Sequence, residues 1–229
     1  MTEEVCSMDV IDAINSRSTI RAFKPDPVER GTILKILKTA TRAPSWANTQ
    51  PWELFVAGGD ALERLRDGYA VRFQNKEPRN PEIPAPKTWP PAIRERMRAA
   101  ASALTRPAGP TASSEDAMRH TFLTNAYRFF GAPTVVFLCM DRSLTSWSMF
   151  DMGSLAQSIM LAAQEYGVDS AIAVMFASFP DLIRAELDIS DDLVILIGIA
   201  LGYADSAHLQ DHHRTSRRPL RDVVRFKGI

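Results

Sequence analysis

Two stretches of this chain, Thr134 to Met140 and Val194 to Leu201, are apolar almost without interruption and show no alternation of apolar and polar residues. Each is far shorter than the ~20 residues a membrane-spanning helix needs. Both are rich in Val, Ile and Leu, so they read as strands buried on both faces. A sheet containing such strands must carry helices on its two sides. The fold class that follows is α+β, α/β-like, with helices around one sheet.

The helix signals fit that frame. Ser7 can cap a helix with Val10, Ile11 and Ile14 on one face. Asp26 with Pro27 and Glu29 predicts a capped start for a second helix, whose stripe is Ile33, Leu37 and Ala40. Pro44 should stop it at Ala43. Trp52 to Ala57 reads as a strand closed by Gly58-Gly59, and Asp60 as the cap of a helix carrying Leu62 and Leu65. Met152, Leu155, Ile159 and Ala163 mark a further helix ended by Gly167. Ala171 to Val174 is a short strand, and Pro180 opens another helix.

Between Gln74 and Thr111 the composition changes, with eight of the fifteen prolines lying there around the charged, Ala-rich stretch Ile93 to Leu104. A long insertion of this kind in a compact domain reads as a functional lid or a disordered loop. The expected organisation is one domain over 1–229 with an insertion at about 74–112.

Charge and cysteine content exclude several functions. Lys and Arg number 27 against 27 Asp and Glu, so no bulk positive charge recruits nucleic acid. The two cysteines, Cys6 and Cys139, cannot build a disulfide framework or a Cys-rich zinc site. Cys139 falls inside an apolar strand and reads as a small buried hydrophobe. The acidic start lacks the features of a signal peptide, and no span is long enough for a membrane, so a cytoplasmic chain is expected. His208, His212 and His213 cluster with Asp211, but nothing supplies a further ligand, and a solvated loop is the simpler reading; no metal is expected. GxSxG, GxGxxG, HExxH and Gly-rich phosphate-loop motifs are all missing.

Three polar clusters remain. Arg17-Ser18-Thr19-Ile20-Arg21 offers two guanidiniums and two hydroxyls within five residues. If the segment is extended, Arg17, Thr19 and Arg21 point the same way and can converge on one anion. A solvated loop of ion pairs is the competing reading. The second cluster runs from Pro44 to Trp52, between a helix end and a strand start, where open sheets tend to bind ligands. Ser45, Asn48 and Gln50 there suit the polar edge of a flat heterocycle, and Trp46 adds stacking surface. Trp52 itself reads as a core residue. The third is His213 to Leu220, with three arginines, either a phosphate contact or a solvated tail.

Together these pieces resemble the nitroreductase family of FMN-dependent oxidoreductases. The resemblance runs through Ser16-Arg17-Ser18-Thr19-Ile20-Arg21-Ala22-Phe23, Ala43 to Trp52, Tyr127 to Pro133 before a Val-rich strand, Glu165-Tyr166-Gly167-Val168, Ile199 to Tyr203, and Arg217-Arg218-Pro219-Leu220. It implies a central mixed sheet wrapped by helices and an intertwined homodimer with a tightly bound FMN at each interface site. It implies Arg17, Ser18, Thr19 and Arg21 on the phosphate, ribityl chain and pyrimidine edge, with Arg217 and Arg214 on the phosphate. Pro44, Ser45 and Asn48 would come from the partner chain, and the backbone at Val174 and Met175 would lie near the flavin. The substrate would meet Trp46 and Ala47 and, from the lid, Phe73 and Trp89.

The implied activity is ping-pong transfer from NAD(P)H to a nitroaromatic, nitrobenzoate-like or quinone substrate. FMN carries the chemistry, so no protein side chain is assigned a catalytic role. Arg21 would offset the negative charge that reduction places on the pyrimidine edge. Reductive dehalogenation, flavin cleavage on the same scaffold, and non-catalytic flavin binding are the alternatives.

Overall fold

The computed structural model describes residues 8–104, 115–207 and 215–229. Ser7, Cys6, His208, Asp211, His212, His213, Arg214 and the end of the expected lid lie outside them. The chain divides into two compact units, Met1–Pro84 with His120–Leu209, and Ala85–Arg119 with Gln210–Ile229.

The first unit is built on a four-stranded sheet, in the order β1 (Trp52–Gly58), β2 (Thr134–Asp141), β4 (Leu193–Gly202), β3 (Asp169–Ala173). Its three ladders are antiparallel. A parallel element enters at the edge, where Thr19 bridges to Ser170. The two unalternating stretches are the two central strands. Along β2 every residue from Thr134 to Met140 is buried, and its side chains divide by parity. Val135, Phe137 and Cys139 enter one core, and Val136, Leu138 and Met140 the other.

The first core is closed by α3 (Gly59–Gln74), the end of α5 (Glu115–Tyr127) and α7 (Pro180–Leu187). It is strongly aromatic: Tyr69 packs against Tyr127, Phe129 and Phe179 at 5.0–5.9 Å between ring centres. The second core is closed by α2 (Arg30–Ala40) and the long α6 (Ser146–Glu165). Met152, Leu155, Ile159 and Ala163, the stripe expected for that helix, are all buried there.

Several boundaries differ from the sequence expectation, each for a local reason. α1 (Val10–Ser16) is capped by Asp9, whose carboxylate accepts the Ile11 N–H at 2.8 Å. Its Val10, Ile11 and Ile14 face outward, not into the chain's own core. α2 starts at Arg30 rather than beside Pro27, with Glu29 at the cap position, and ends at Ala40, short of Ala43. α3 begins at Gly59, so the expected Gly58-Gly59 turn is the helix start itself. β3 ends at Ala173, and Val174 opens a short 3-10 turn, Val174–Ala177.

A register shift also breaks β4. Leu138 faces Ile197 while Cys139 faces Ile195, so Leu196 is an extra residue. Beside it, Ile195 donates its N–H to Glu82 at 2.7 Å.

The second unit contains α4 (Pro91–Leu104), the start of α5, and the one-turn α8 (Leu220–Val223). Among the described residues, no helix is long and apolar enough to cross a membrane, and no group of three or more His, Cys, Asp or Glu could hold a metal ion. Burial pushes the free Cys139 thiol up to about 12, which keeps it an unreactive core residue.

Candidate active site

The Arg17–Phe23 segment is extended and stitched to the sheet edge. Ile20 N–H donates to Ser170 O at 3.0 Å, Phe23 N–H to Phe130 O at 3.1 Å, and Lys24 N–H to Tyr203 O at 2.8 Å. Alternation then sorts the side chains. Ile20 turns into the aromatic core, while its neighbours Thr19 and Arg21 stay half-buried with Arg17 and Ser18. Phe23 anchors the far end, packed against Gly202, where an added Cβ would lie 2.9 Å from the Phe23 ring.

The two guanidiniums have little to do within the chain. Among the described residues neither Arg17 nor Arg21 forms an ion pair, and the hydrogen bond of Arg21 is a long one, to Thr19 O at 3.4 Å. Burial lowers the Arg21 pKa, yet the group stays cationic at neutral pH. Two half-buried cations beside two hydroxyls, without acidic partners, form a donor set that fits a phosphate and the polar edge of a heterocycle. Nearby, Ser170 Oγ is buried without a hydrogen-bond partner among the described residues.

The Pro44–Gln50 loop is a second, separate piece. Its centre is a 3-10 turn, Trp46–Asn48, in which Ala47 and Asn48 adopt left-handed backbone, as does Gln50 just beyond it. Ser45 Oγ accepts the Gln50 N–H at 3.0 Å, and Asp151 of α6 accepts the Trp46 N–H at 3.1 Å. Trp46 is 68% exposed, and Pro44, Ala47 and Asn48 are exposed with it. The loop therefore presents flat apolar and amide surface outward.

Val174 is exposed at the turn after β3, and Met175 is partly packed into the aromatic core. Phe73 lies on α3 with its ring 5.2 Å from those of Tyr127 and His120, so much of its surface is already used in packing. Trp89 and Arg217 belong to the second unit. Arg217 donates to Thr215 O and Oγ1 at 2.9 Å. Arg214 lies outside the described residues.

Three polar anchors, Arg66, Glu82 and Asp151, were missed in the sequence, the first two being single charged residues with no further signal. Arg66 donates to Arg128 O and Ala132 O and pairs with Glu63, holding the Phe129–Gly131 turn on which Phe23 rests. Glu82 accepts from Arg184, Arg142 and Ile195 N–H. Burial alone would raise the Glu82 carboxyl; the donors from Arg142, Ile195 and Arg184 outweigh it and hold it below its ordinary value. Asp151, buried on α6, is the third. An acid directly before the apolar stripe of that helix was the one available clue.

Residues 14–203 match the nitroreductase family. The chain is 32% identical over 221 residues to a nitrobenzene nitroreductase of Ectopseudomonas oleovorans, covering 94% of this chain and 95% of that protein. It is 31% identical over 222 residues to a 4-nitrobenzoate reductase of Pseudomonas putida, covering 96% and 97%. Among solved structures it resembles the FMN and NADPH-dependent nitroreductase NfnB from Sphigopyxis sp. strain HMH, with a TM-score of 0.90 at 31% identity over 97% of this chain and all of that one. It also resembles the FMN-dependent NfnB of Mycobacterium smegmatis in complex with NADPH, with a TM-score of 0.87 at 30% identity over 96% of this chain and all of that one.

Proposed function

The chain belongs to the nitroreductase family, and from that premise we propose that it is an FMN-dependent oxidoreductase using NAD(P)H to reduce nitroaromatic compounds. The observation that carries this reading is the pair of half-buried guanidiniums, Arg17 and Arg21, left without acidic partners among the described residues beside Ser18 and Thr19. Such a set is costly to maintain unless an anionic ligand completes it. Nitroaromatic reduction is the activity named for full-length relatives at 31–32% identity.

When bound, FMN supplies the redox chemistry. The protein's own residues bind and orient. Arg17, Ser18 and Thr19 would hold the phosphate and ribityl hydroxyls, and Arg21 the pyrimidine edge. Ser45 and Asn48, beside Pro44, offer hydroxyl and amide groups, while Trp46 and Ala47 give a flat surface for an aromatic substrate. The exposed start of the turn at Val174–Met175 offers backbone to the cofactor. Nitrobenzoate-like and quinone substrates belong to the same proposal, as do the insertion at about 74–112 as lid and substrate contacts by Phe73 and Trp89.

A second copy of the chain is part of the reading. α1 and α6 expose Val10 (62%), Trp147 (68%) and Phe150 (76%), apolar surface that an isolated chain leaves in water. We read this face as buried in a homodimer, in the cytoplasm where NAD(P)H is at hand.

The test is direct. Protein purified with FMN should be yellow and should oxidise NADPH or NADH when nitrobenzene or 4-nitrobenzoate is added. Cofactor oxidation no faster than the background with oxygen would overturn the activity. Arg217→Ala tests the C-terminal phosphate assignment separately: unchanged FMN retention would remove it.

A further inference from the structure

Asp151 is the one carboxylate among the buried residues of α6, whose other inward positions are apolar apart from Ser148. It is 5% exposed. A carboxylate so far from water is costly unless something satisfies it. Among the described residues no Lys, Arg or His pairs with it. The hydrogen bond it accepts comes from the Trp46 N–H, 105 residues away in the chain.

That amide has a specific need. It opens the Trp46–Asn48 turn, where the first N–H groups of a helical turn lack internal partners. Ser45 occupies the local cap position but makes no cap hydrogen bond. Its hydroxyl is turned to the loop's exit, where it accepts the Gln50 N–H. The loop is therefore held at its exit by its own serine and at its entrance by a carboxylate from another element.

Between these two points the backbone is strained. Ala47 (φ 48°), Asn48 (φ 58°) and Gln50 (φ 46°) are all left-handed, and none is glycine. That conformation is costly for Ala47 and Gln50 and less so for Asn48, and it persists only where the surroundings over-determine it. We propose that Asp151 is the positioning residue of the cofactor loop: its carboxylate holds the Trp46 amide and so keeps Ser45 and Asn48 in the conformation that presents them to FMN. The proposal rests on the reading of this loop as flavin-facing.

The experiment compares Asp151→Ala and Asp151→Asn with the wild type in the full chain. It measures amide hydrogen exchange over residues 45–50 without cofactor, and FMN affinity. In the alanine variant, exchange should speed up at the loop while the central strands keep their protection, and the FMN Kd should rise about ten- to hundredfold, the range for a hydrogen bond to a charged group. Asparagine retains an acceptor oxygen and should restore most of both. Unchanged loop exchange would overturn the clamp. Faster exchange with unchanged FMN affinity would overturn the positioning role and leave Asp151 a structural residue. If Asp151→Ala does not fold, Trp46→Pro against Trp46→Ala removes the same hydrogen bond from the donor side, and equal FMN affinities in that pair would overturn the proposal. Failure of the flavin reading itself shows earlier and differently, as wild-type protein that binds no FMN.

Discussion

The centre of the sheet and the segments fastened to its margins are held by different physics. Burial is unbroken in β2 from Thr134 to Met140 and in β4 from Gly198 to Gly202, and the side chains there divide between two apolar cores without a charged group among them. At the margins the chain is extended or strained, partly exposed, and fixed by single polar anchors: Arg66 under the Phe129–Gly131 turn, Glu82 at the bulged end of β4, and Asp151 at the Pro44–Gln50 loop. Apolar packing is spread over many atoms and tolerates small losses. A polar anchor concentrates its effect in one or two hydrogen bonds whose loss leaves a buried partner unsatisfied. The candidate cofactor residues lie in the second kind of region, so their geometry should be more sensitive to one distant substitution than the fold is.

The largest expected effect tests the anchors. Glu82 and Arg184 have side chains only 13% and 14% exposed, and Arg142 joins them. Glu82→Ala leaves Arg184 without its carboxylate and should destabilise the protein by about 3–5 kcal/mol, read as a fall in the denaturant midpoint. The same group predicts a pH dependence. Its folded-state carboxyl lies below the ordinary 4.5, so its contribution is complete above that value and is lost as pH falls through the lower folded value. Wild type should therefore lose stability on acidification more steeply than Glu82→Gln, and the two curves should converge at low pH. Parallel curves would show that Glu82 does not work as an ionised anchor.

Next comes the cofactor edge. Arg21→Ala should weaken FMN binding by about 1.5–3 kcal/mol, the range for a hydrogen bond to a charged group. It should move the melting temperature of the cofactor-free protein little, because Arg21 forms no ion pair among the described residues. Equal losses in both measurements would erase the distinction between site and fold.

The sheet is probed by Gly198→Ala. A Cβ there would sit 2.7 Å from the Phe176 Cβ and 3.4 Å from the Phe137 ring. Neither neighbour is the end of a flexible side chain, so overpacking should cost about 1–3 kcal/mol. FMN affinity should fall only if the Val174–Ala177 turn carrying Phe176 is pushed aside. Calorimetry and flavin titration of this one variant separate the two consequences.

What could be read in advance follows the same division. Hydropathy without alternation located β2 and β4, and the stripe of Met152, Leu155, Ile159 and Ala163 located α6, because burial acts on many residues at once and leaves a periodic trace. The extended Arg17–Arg21 segment was legible as a donor cluster because its polar residues are adjacent. The bulge at Leu196 was not, since one extra apolar residue in an apolar strand changes no pattern. Glu82, Arg66 and Asp151 were missed because an anchor is one charged residue among many, and only its long-range partners, 60 or more positions away, distinguish it from a solvated one. The outward apolar face of α1 was legible as a face but not as outward, because periodicity gives the stripe and not the direction in which it looks.

The smallest effect is the most discriminating. Ala47 holds a left-handed backbone, φ 48°, although it is not glycine. Ala47→Gly removes about 1–2 kcal/mol of steric strain and adds back about 0.5–1 kcal/mol of unfolded-chain entropy. The net should be a stabilisation of at most about 1.5 kcal/mol, visible as a small rise in melting temperature. If Asp151 and Ser45 determine the loop, the glycine variant keeps its conformation, and FMN affinity should be nearly unchanged. If FMN affinity instead falls tenfold while stability rises, residue 47 itself steers the loop, and the margin is governed by local backbone preference more than by anchors from the core. A clear loss of stability would mean that the Ala47 methyl is packed in the assembled protein, which would place this exposed loop against a second copy of the chain.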